Sequence, residues 1–207
     1  MKKYFTSSNT IIHELYLIKS LNNQVKNILV ILIGLVIVSL SAKIKIPIPP
    51  VPVTLQTMFV LIFSMAVGAR LSFITFGTYL ILGSLGLPIF ANPPYGGPVY
   101  MIGPSGGYLI GMLLSSYIVG YLAEINFDKN YIRSIIAILT GTIIIFLFGI
   151  VWLGIWFKYF SSLANEINFV ESYNKAFENG LFVFMYTEPI KIAVSASIIP
   201  LLWKIKN

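Results

Sequence analysis

Glu188 and Lys191 stand three residues apart in the stretch Thr187-Glu188-Pro189-Ile190-Lys191, and they are the only charged residues inside an apolar span of the chain. On a helix that spacing puts both side chains on one face. An ionisable group costs ~2.5–3.5 kcal/mol at the centre of a membrane helix, so such groups usually face a cavity or a partner. A pair that merely neutralised itself would add little that apolar packing could not supply. The chemistry on offer is recognition. Lys191 can pair with a carboxylate, and Glu188 can accept hydrogen bonds from ring N–H groups. Both bonds are charge-assisted and strong away from water. The expected ligand therefore has separate acidic and donor ends.

Little else in the chain suggests turnover. Cysteine is absent, and the single histidine, His13, is read as a surface residue near the N-terminus. No Ser/His or Cys/His pair and no acidic cluster lies within the spans, which argues against an intramembrane enzyme. No metal or cofactor is expected.

A second stretch must shape the site. Leu87 to Gly111, LPIFANPPYGGPVYMIGPSGGYLIG, holds no Asp, Glu, Lys, Arg or His and is crowded with Gly, Pro and aromatic residues. That density of Gly and Pro breaks helices and strands. A solvated loop would carry charge. Irregular backbone at membrane depth is tolerated where it is buried in protein or lines a cavity. The segment is read as a wall or lid of a small-molecule site.

The elements that position these residues follow from composition. Charged residues make up 10 % and hydrophobic residues 57 % of the 207 residues. Soluble domains carry about 25 % charged residues, and the mean hydropathy here is +0.86. The expected fold is an all-α integral membrane protein, a compact bundle of six transmembrane helices with ordered outward-facing loops. The spans run Asn27–Ala42, Leu55–Val67, Leu71–Leu85, Ser105–Ala123, Ser134–Phe157 and Leu181–Trp203. Several fall short of the ~20 residues a crossing needs. Residues 1–26 are read as an interfacial amphipathic helix and residues 27–207 as the membrane domain. Pro47 to Pro52 predicts a stiff extended connection. Lys43 and Lys45 are expected to snorkel to the interface. Lys158–Asn179 reads as a polar segment. In the last span, Thr187 is expected to cap a helix that tolerates Pro189 in its first turn.

Six crossings put both termini on one side. Taking that side as cytoplasmic gathers most Lys and Arg inside. The proline-rich connection and the Gly/Pro segment then face outward. The net charge of +7 does not indicate nucleic acid, because the basic residues lie mostly between apolar spans.

Three patterns coincide: PIPPVPVTLQT from Pro47 to Thr57, GLPIFA at 86–91 followed by GPSGGYLIG at 103–111, and Glu188-Pro189-Ile190-Lys191. Together, over about Ile28 to Trp203, they resemble the BioY family, the substrate-binding components of energy-coupling-factor (ECF) biotin transporters. The resemblance implies a protein of the bacterial cell membrane that binds biotin from outside. It also implies partners: membrane lipid, a transmembrane coupling protein and two ATPases. No phosphate-binding GxxxxGK[ST] loop occurs in this chain, consistent with hydrolysis on another chain.

Carried over residue by residue, Lys191 falls on the family's lysine. Glu188 falls where the family usually has Asp, in TEPIK instead of a pattern like GDLIK. Asn92 falls in the loop after GLPIFA, where its amide could meet the ureido group. The family's small-xxx-small alanines in the first span are not matched; Gly34 and Ser39 are the main small residues there. Biotin presents a carboxylate, a ureido ring and an apolar sulfur ring with an aliphatic tail. Tyr95, Tyr100 and Tyr108 can supply ring faces or hydroxyls. Gly103, Gly106 and Gly107 let backbone N–H groups approach closely. Thr54 and Gln56 are polar groups at the outer end of the second span. Other vitamins of the thiamine or riboflavin class are the alternative ligands within this reading. A ligand-free structural subunit would leave the charged pair unexplained.

Overall fold

A computed structural model describes residues 10, 11 and 22–206. The expected interfacial helix, with His13, lies largely outside the described residues. Thr10 and Ile11 are buried. The first helix, α1 (Asn23–Lys43), starts before the expected Asn27, because the Asn22 side chain accepts from the Gln24 N–H at 3.2 Å and caps it.

The proline-rich stretch is not the single extended connection expected from it. It folds back as a hairpin, β1 (Lys45–Ile46) with β2 (Val53–Thr54), in which Lys45 opposes Thr54 and Ile46 opposes Val53. The prolines lie between the strands, where no ladder hydrogen bond is required of them. Next come α2 (Gln56–Val67) and α3 (Ala69–Ser84), joined at Gly68, whose φ of +89° suits glycine. A short α4 (Pro98–Ile102) interrupts the Gly/Pro segment, and the long helices α5 (Gly106–Glu124) and α6 (Tyr131–Tyr159) follow.

The polar stretch after α6 is mostly helical. Asn168 and Glu171 form a reciprocal capping box at 2.9 Å each and start α7 (Phe169–Phe177). A π-helical turn (Glu178–Phe182) and a short α8 (Val183–Met185) lead to α9 (Glu188–Lys206). The Thr187 hydroxyl donates back to the Phe184 carbonyl at 3.2 Å and does not cap α9. The Thr187 carbonyl instead accepts from the Lys191 N–H at 3.2 Å, and Pro189 fits the first turn because no N–H partner is needed there.

Helices α1, α5 and α6 are long and apolar enough to cross a membrane, and the α7–α8 arm and α9, bent by 52° to each other, reach that length and apolarity only as a pair. The protein is thus a multi-pass helical membrane protein. Helix α2, with 12 residues, and α3, with 16, are each shorter than a full crossing.

Helix α5 is central. It packs on α6, α3 and α2, while α9 leans on α6 and α2, and α1 on α3 and α2. Small residues permit the closest approaches, as is usual between membrane helices. A Cβ on Gly120 would lie 2.4 Å from the Ala69 nitrogen, and one on Gly111 would lie 2.8 Å from Ile145 Cα. The Ser72 hydroxyl ties α3 to α5 through the Ser116 carbonyl at 2.9 Å.

Candidate ligand-binding site

The Gly/Pro segment is held down by aromatic packing and by cations. Phe90 is fully buried, stacks on Tyr100 at 4.6 Å and meets the edge of Tyr79 at 5.5 Å. Its ring rests on Gly83, where a Cβ would leave no room. Lys43 and Lys45 do not snorkel away. Lys43 donates to the Phe90 carbonyl, while Lys45 donates to the Ala91 carbonyl at 2.6 Å and to Asn92 Oδ1. Both ammonium groups also sit over the Tyr95 ring, at 4.4 and 5.7 Å from its centroid. The end of α1 therefore pins a segment that has no charge of its own.

Beneath this cover is a narrow cavity of about 30 Å³. Val51 and Pro52 come from the hairpin, and Ala91, Tyr100 and Ser105 from the Gly/Pro segment. Thr54, Gln56 and Thr57 surround the start of α2. Tyr108, Leu109 and Met112 from α5, Phe146 from α6 and Phe184 from α8 complete the wall. The lining is mainly apolar with a few polar anchors, the pattern of a small-molecule site. Tyr108 stacks on Phe184 at 6.0 Å, and its hydroxyl donates to the Gly180 carbonyl at 2.8 Å. That carbonyl lies in the π-helical turn, a distortion frequent at functional sites. Burial pushes the Tyr100 hydroxyl above its usual pKa and keeps it a neutral donor; the Ser105 side chain and the backbone of Asn92 and Ala91 pull the other way. Gln56 Nε2 is buried and makes no well-aligned hydrogen bond, but the Tyr79 hydroxyl lies within its hydrogen-bonding reach. A buried amide donor held only by a poorly aligned neighbour in a cavity wall can turn to a ligand acceptor.

The charged pair lies behind this wall. Lys191 Nζ and Glu188 Oε1 are 2.7 Å apart, and each residue is only 7 % exposed. Lys191 also reaches the Thr57 hydroxyl at 3.4 Å, so it meets the cavity through one of the lining residues. A wider groove of about 340 Å³ between the hairpin and the start of α9 is lined by both Lys191 and Thr54. The two charges are not equivalent with respect to their helix. Glu188 is stabilised by the positive N-terminal end of α9, whereas Lys191 is disfavoured by it. An anion arriving at Lys191 would relieve that strain.

Of the residues singled out in the sequence, Thr54, Gln56, Tyr100 and Tyr108 line the cavity, Lys191 adjoins it through Thr57, and Glu188 is paired with Lys191 behind it. Asn92 is engaged by Lys45 and is not among the lining residues. None of the three glycines is among the lining residues. The Gly103 carbonyl accepts from Trp152 Nε1 at 2.9 Å, while Gly106 leaves room for the Met101 carbonyl and Gly107 for the Trp152 side chain. Thr57, Ser105, Phe146 and Phe184 were not singled out. Thr57 ends the PIPPVPVTLQT pattern and Ser105 lies within GPSGG; the two phenylalanines carried no signal among many apolar residues.

A multi-pass helical bundle with a small, largely apolar cavity beside a buried charge pair has the build of a small-molecule-binding membrane component. The BioY family model matches residues 12–207, and the chain belongs to the BioY family. It is 32 % identical to the biotin transporter BioY of Thermotoga maritima over 145 residues, which cover 70 % of this chain and 76 % of that protein. A probable biotin transporter BioY of Pyrococcus horikoshii is 31 % identical with the same coverage. The crystal structure of an S-component for biotin from an ECF-type ABC transporter superposes with a TM-score of 0.70 at 28 % identity, covering 89 % of this chain and 94 % of that one.

Proposed function

We propose that this chain is the biotin-binding S component of an ECF-type biotin transporter, taking up biotin in concert with a coupling protein and two ATPases. Family membership supports the biotin reading. The observation that carries the site is the buried Glu188–Lys191 pair reaching the cavity through Thr57. In this reading Lys191 takes the ligand carboxylate and Glu188 a ureido N–H. Gln56 supplies a donor to the ureido carbonyl, and Tyr108, Phe146 and Phe184 enclose the sulfur ring. Six crossings, α1, α2, α3, α5, α6 and α9, place both termini in the cytoplasm and the hairpin and Gly/Pro segment outside. The excess of Lys and Arg near the termini and at the α5–α6 loop supports that orientation.

A cavity of about 30 Å³ has room for only a water or two, so binding requires it to widen. The helical wall is fixed by its packing. The loop wall, Val51, Pro52 and Ala91, is where the opening would occur. Equilibrium binding of labelled biotin to the purified protein tests the proposal. Unlabelled biotin should displace the label, while thiamine and riboflavin in large excess should not. Displacement by either of those vitamins, or failure to bind biotin, would overturn it.

A further inference from the structure

At the other end of α9 is a second groove, of about 510 Å³, between the α5–α6 loop and the last turns of the helix. We propose that this groove binds the phosphate headgroup of an anionic membrane lipid between Lys129 and Lys204. Both lysines line it, and no carboxylate does. Among the described residues, neither ammonium donates a hydrogen bond to a protein acceptor. Asp128 is next to Lys129 in sequence but is fully buried, and its Oδ2 accepts from Trp203 Nε1 at 2.7 Å. Its Oδ2 is thus committed to the protein interior, and Lys129 meets Asp128 only as a through-space charge. Lys129 is placed by the same indole, lying 4.9 Å from the Trp203 ring centroid. Asn130 lines the groove too; its Oδ1 is committed to the Ile132 and Arg133 N–H groups, which leaves its NH₂ as a further donor.

The position fits a lipid and not merely a soluble anion. The groove lies where two apolar spans end, at the start of α6 and the close of α9. Pro200 interrupts the hydrogen-bond ladder of α9 beside it. Ile132 and Leu201, both exposed, continue the groove as an apolar track for an acyl chain. Basic pockets between membrane helices at headgroup depth recognise anionic lipids, with roughly fivefold in affinity expected from each lysine.

Native mass spectrometry of the full chain in neutral detergent tests this with three probes: phosphatidylglycerol, phosphatidylcholine and glycerol 3-phosphate. Phosphatidylglycerol should be retained several-fold over phosphatidylcholine, and glycerol 3-phosphate should not be retained. Lys129→Gln with Lys204→Gln should lower phosphatidylglycerol retention by roughly tenfold or more. The melting temperature serves as the control for folding. Lys204→Gln alone, at an exposed position, should give a smaller loss, and Lys204→Arg should restore retention. Equal retention of the two lipids, or retention unchanged in the double variant, would overturn the site. Glycerol 3-phosphate binding as tightly as the lipid would make it a soluble-anion site and overturn the lipid assignment.

Discussion

The two ends of α9 hold their buried carboxylates in opposite ways. At the first turn, Glu188 is paired with Lys191 on the same helix, three residues away. At the last turns, Asp128 reaches α9 from a loop and takes the Trp203 N–H. Nearby, Glu124 similarly crosses to the Ala69 N–H that opens α3, at 2.9 Å. This pair makes its short bond within one helix, and only the longer 3.4 Å contact from Lys191 to Thr57 reaches α2. Its partners can be exchanged for a ligand without unfastening the bundle. A carboxylate that spans elements is a staple, and its loss loosens the packing. On the proposed reading, the first end of α9 serves recognition and the second cohesion.

The strongest way to break that division is Lys191→Ala. If the first end is for recognition, biotin affinity should fall by the ~2–5 kcal/mol typical of truncating one partner of a buried charge pair. Isothermal titration calorimetry would report it. Glu188→Gln should lose less, since one acceptor oxygen remains. Wild-type affinity in Lys191→Ala would make the pair structural and erase the contrast.

Trp203→Phe addresses the other end. It keeps an aromatic ring but removes the indole N–H that Asp128 accepts, at an expected cost of ~1–3 kcal/mol in stability. The melting temperature in detergent should drop while biotin affinity stays unchanged. A loss of affinity instead would mean that the two ends are coupled through α9. Tyr108→Phe sharpens the comparison at the cavity itself. Removing the 2.8 Å bond to the Gly180 carbonyl should cost ~0.5–1.5 kcal/mol in stability. If the π-helical turn then shifts Phe184, biotin affinity should fall with it.

The first end was far more legible in the sequence than the second. Glu188 and Lys191 stand out because charge inside an apolar run is costly, and the Gly/Pro segment because its composition excludes regular structure. The apolar runs likewise located the long helices α1, α5 and α6 to within a few residues. What was not legible depended on contacts between distant parts of the chain. Lys43 and Lys45 look like interfacial lysines until the segment nearly fifty residues on is folded over them. Gly106 and Gly107 look like exposed N–H donors until the Met101 carbonyl and Trp152 fill the space beside them. Asp128 looks like an ordinary loop acid, because nothing local announces that Trp203 will bury it. The α7 capping box is the exception: Asn168 and Glu171 were readable, but the surrounding polarity suggested a loop.

The smallest expected effect concerns pH. Burial pushes the Asp128 carboxyl above its usual pKa, against the pull of the Trp203 N–H and the Lys129 charge. The native chain therefore holds that proton more tightly than the unfolded chain does. Between the ordinary carboxylate pKa and the raised native one, the unfolded state releases the proton while the native state keeps it. Stability must fall as pH rises through that interval and recover as pH is lowered. The melting temperature should accordingly climb on mild acidification, and Asp128→Asn, which cannot titrate, should flatten the climb. If the slope survives in Asp128→Asn, the staple at the second end is not the source, and cohesion there does not depend on a buried acid.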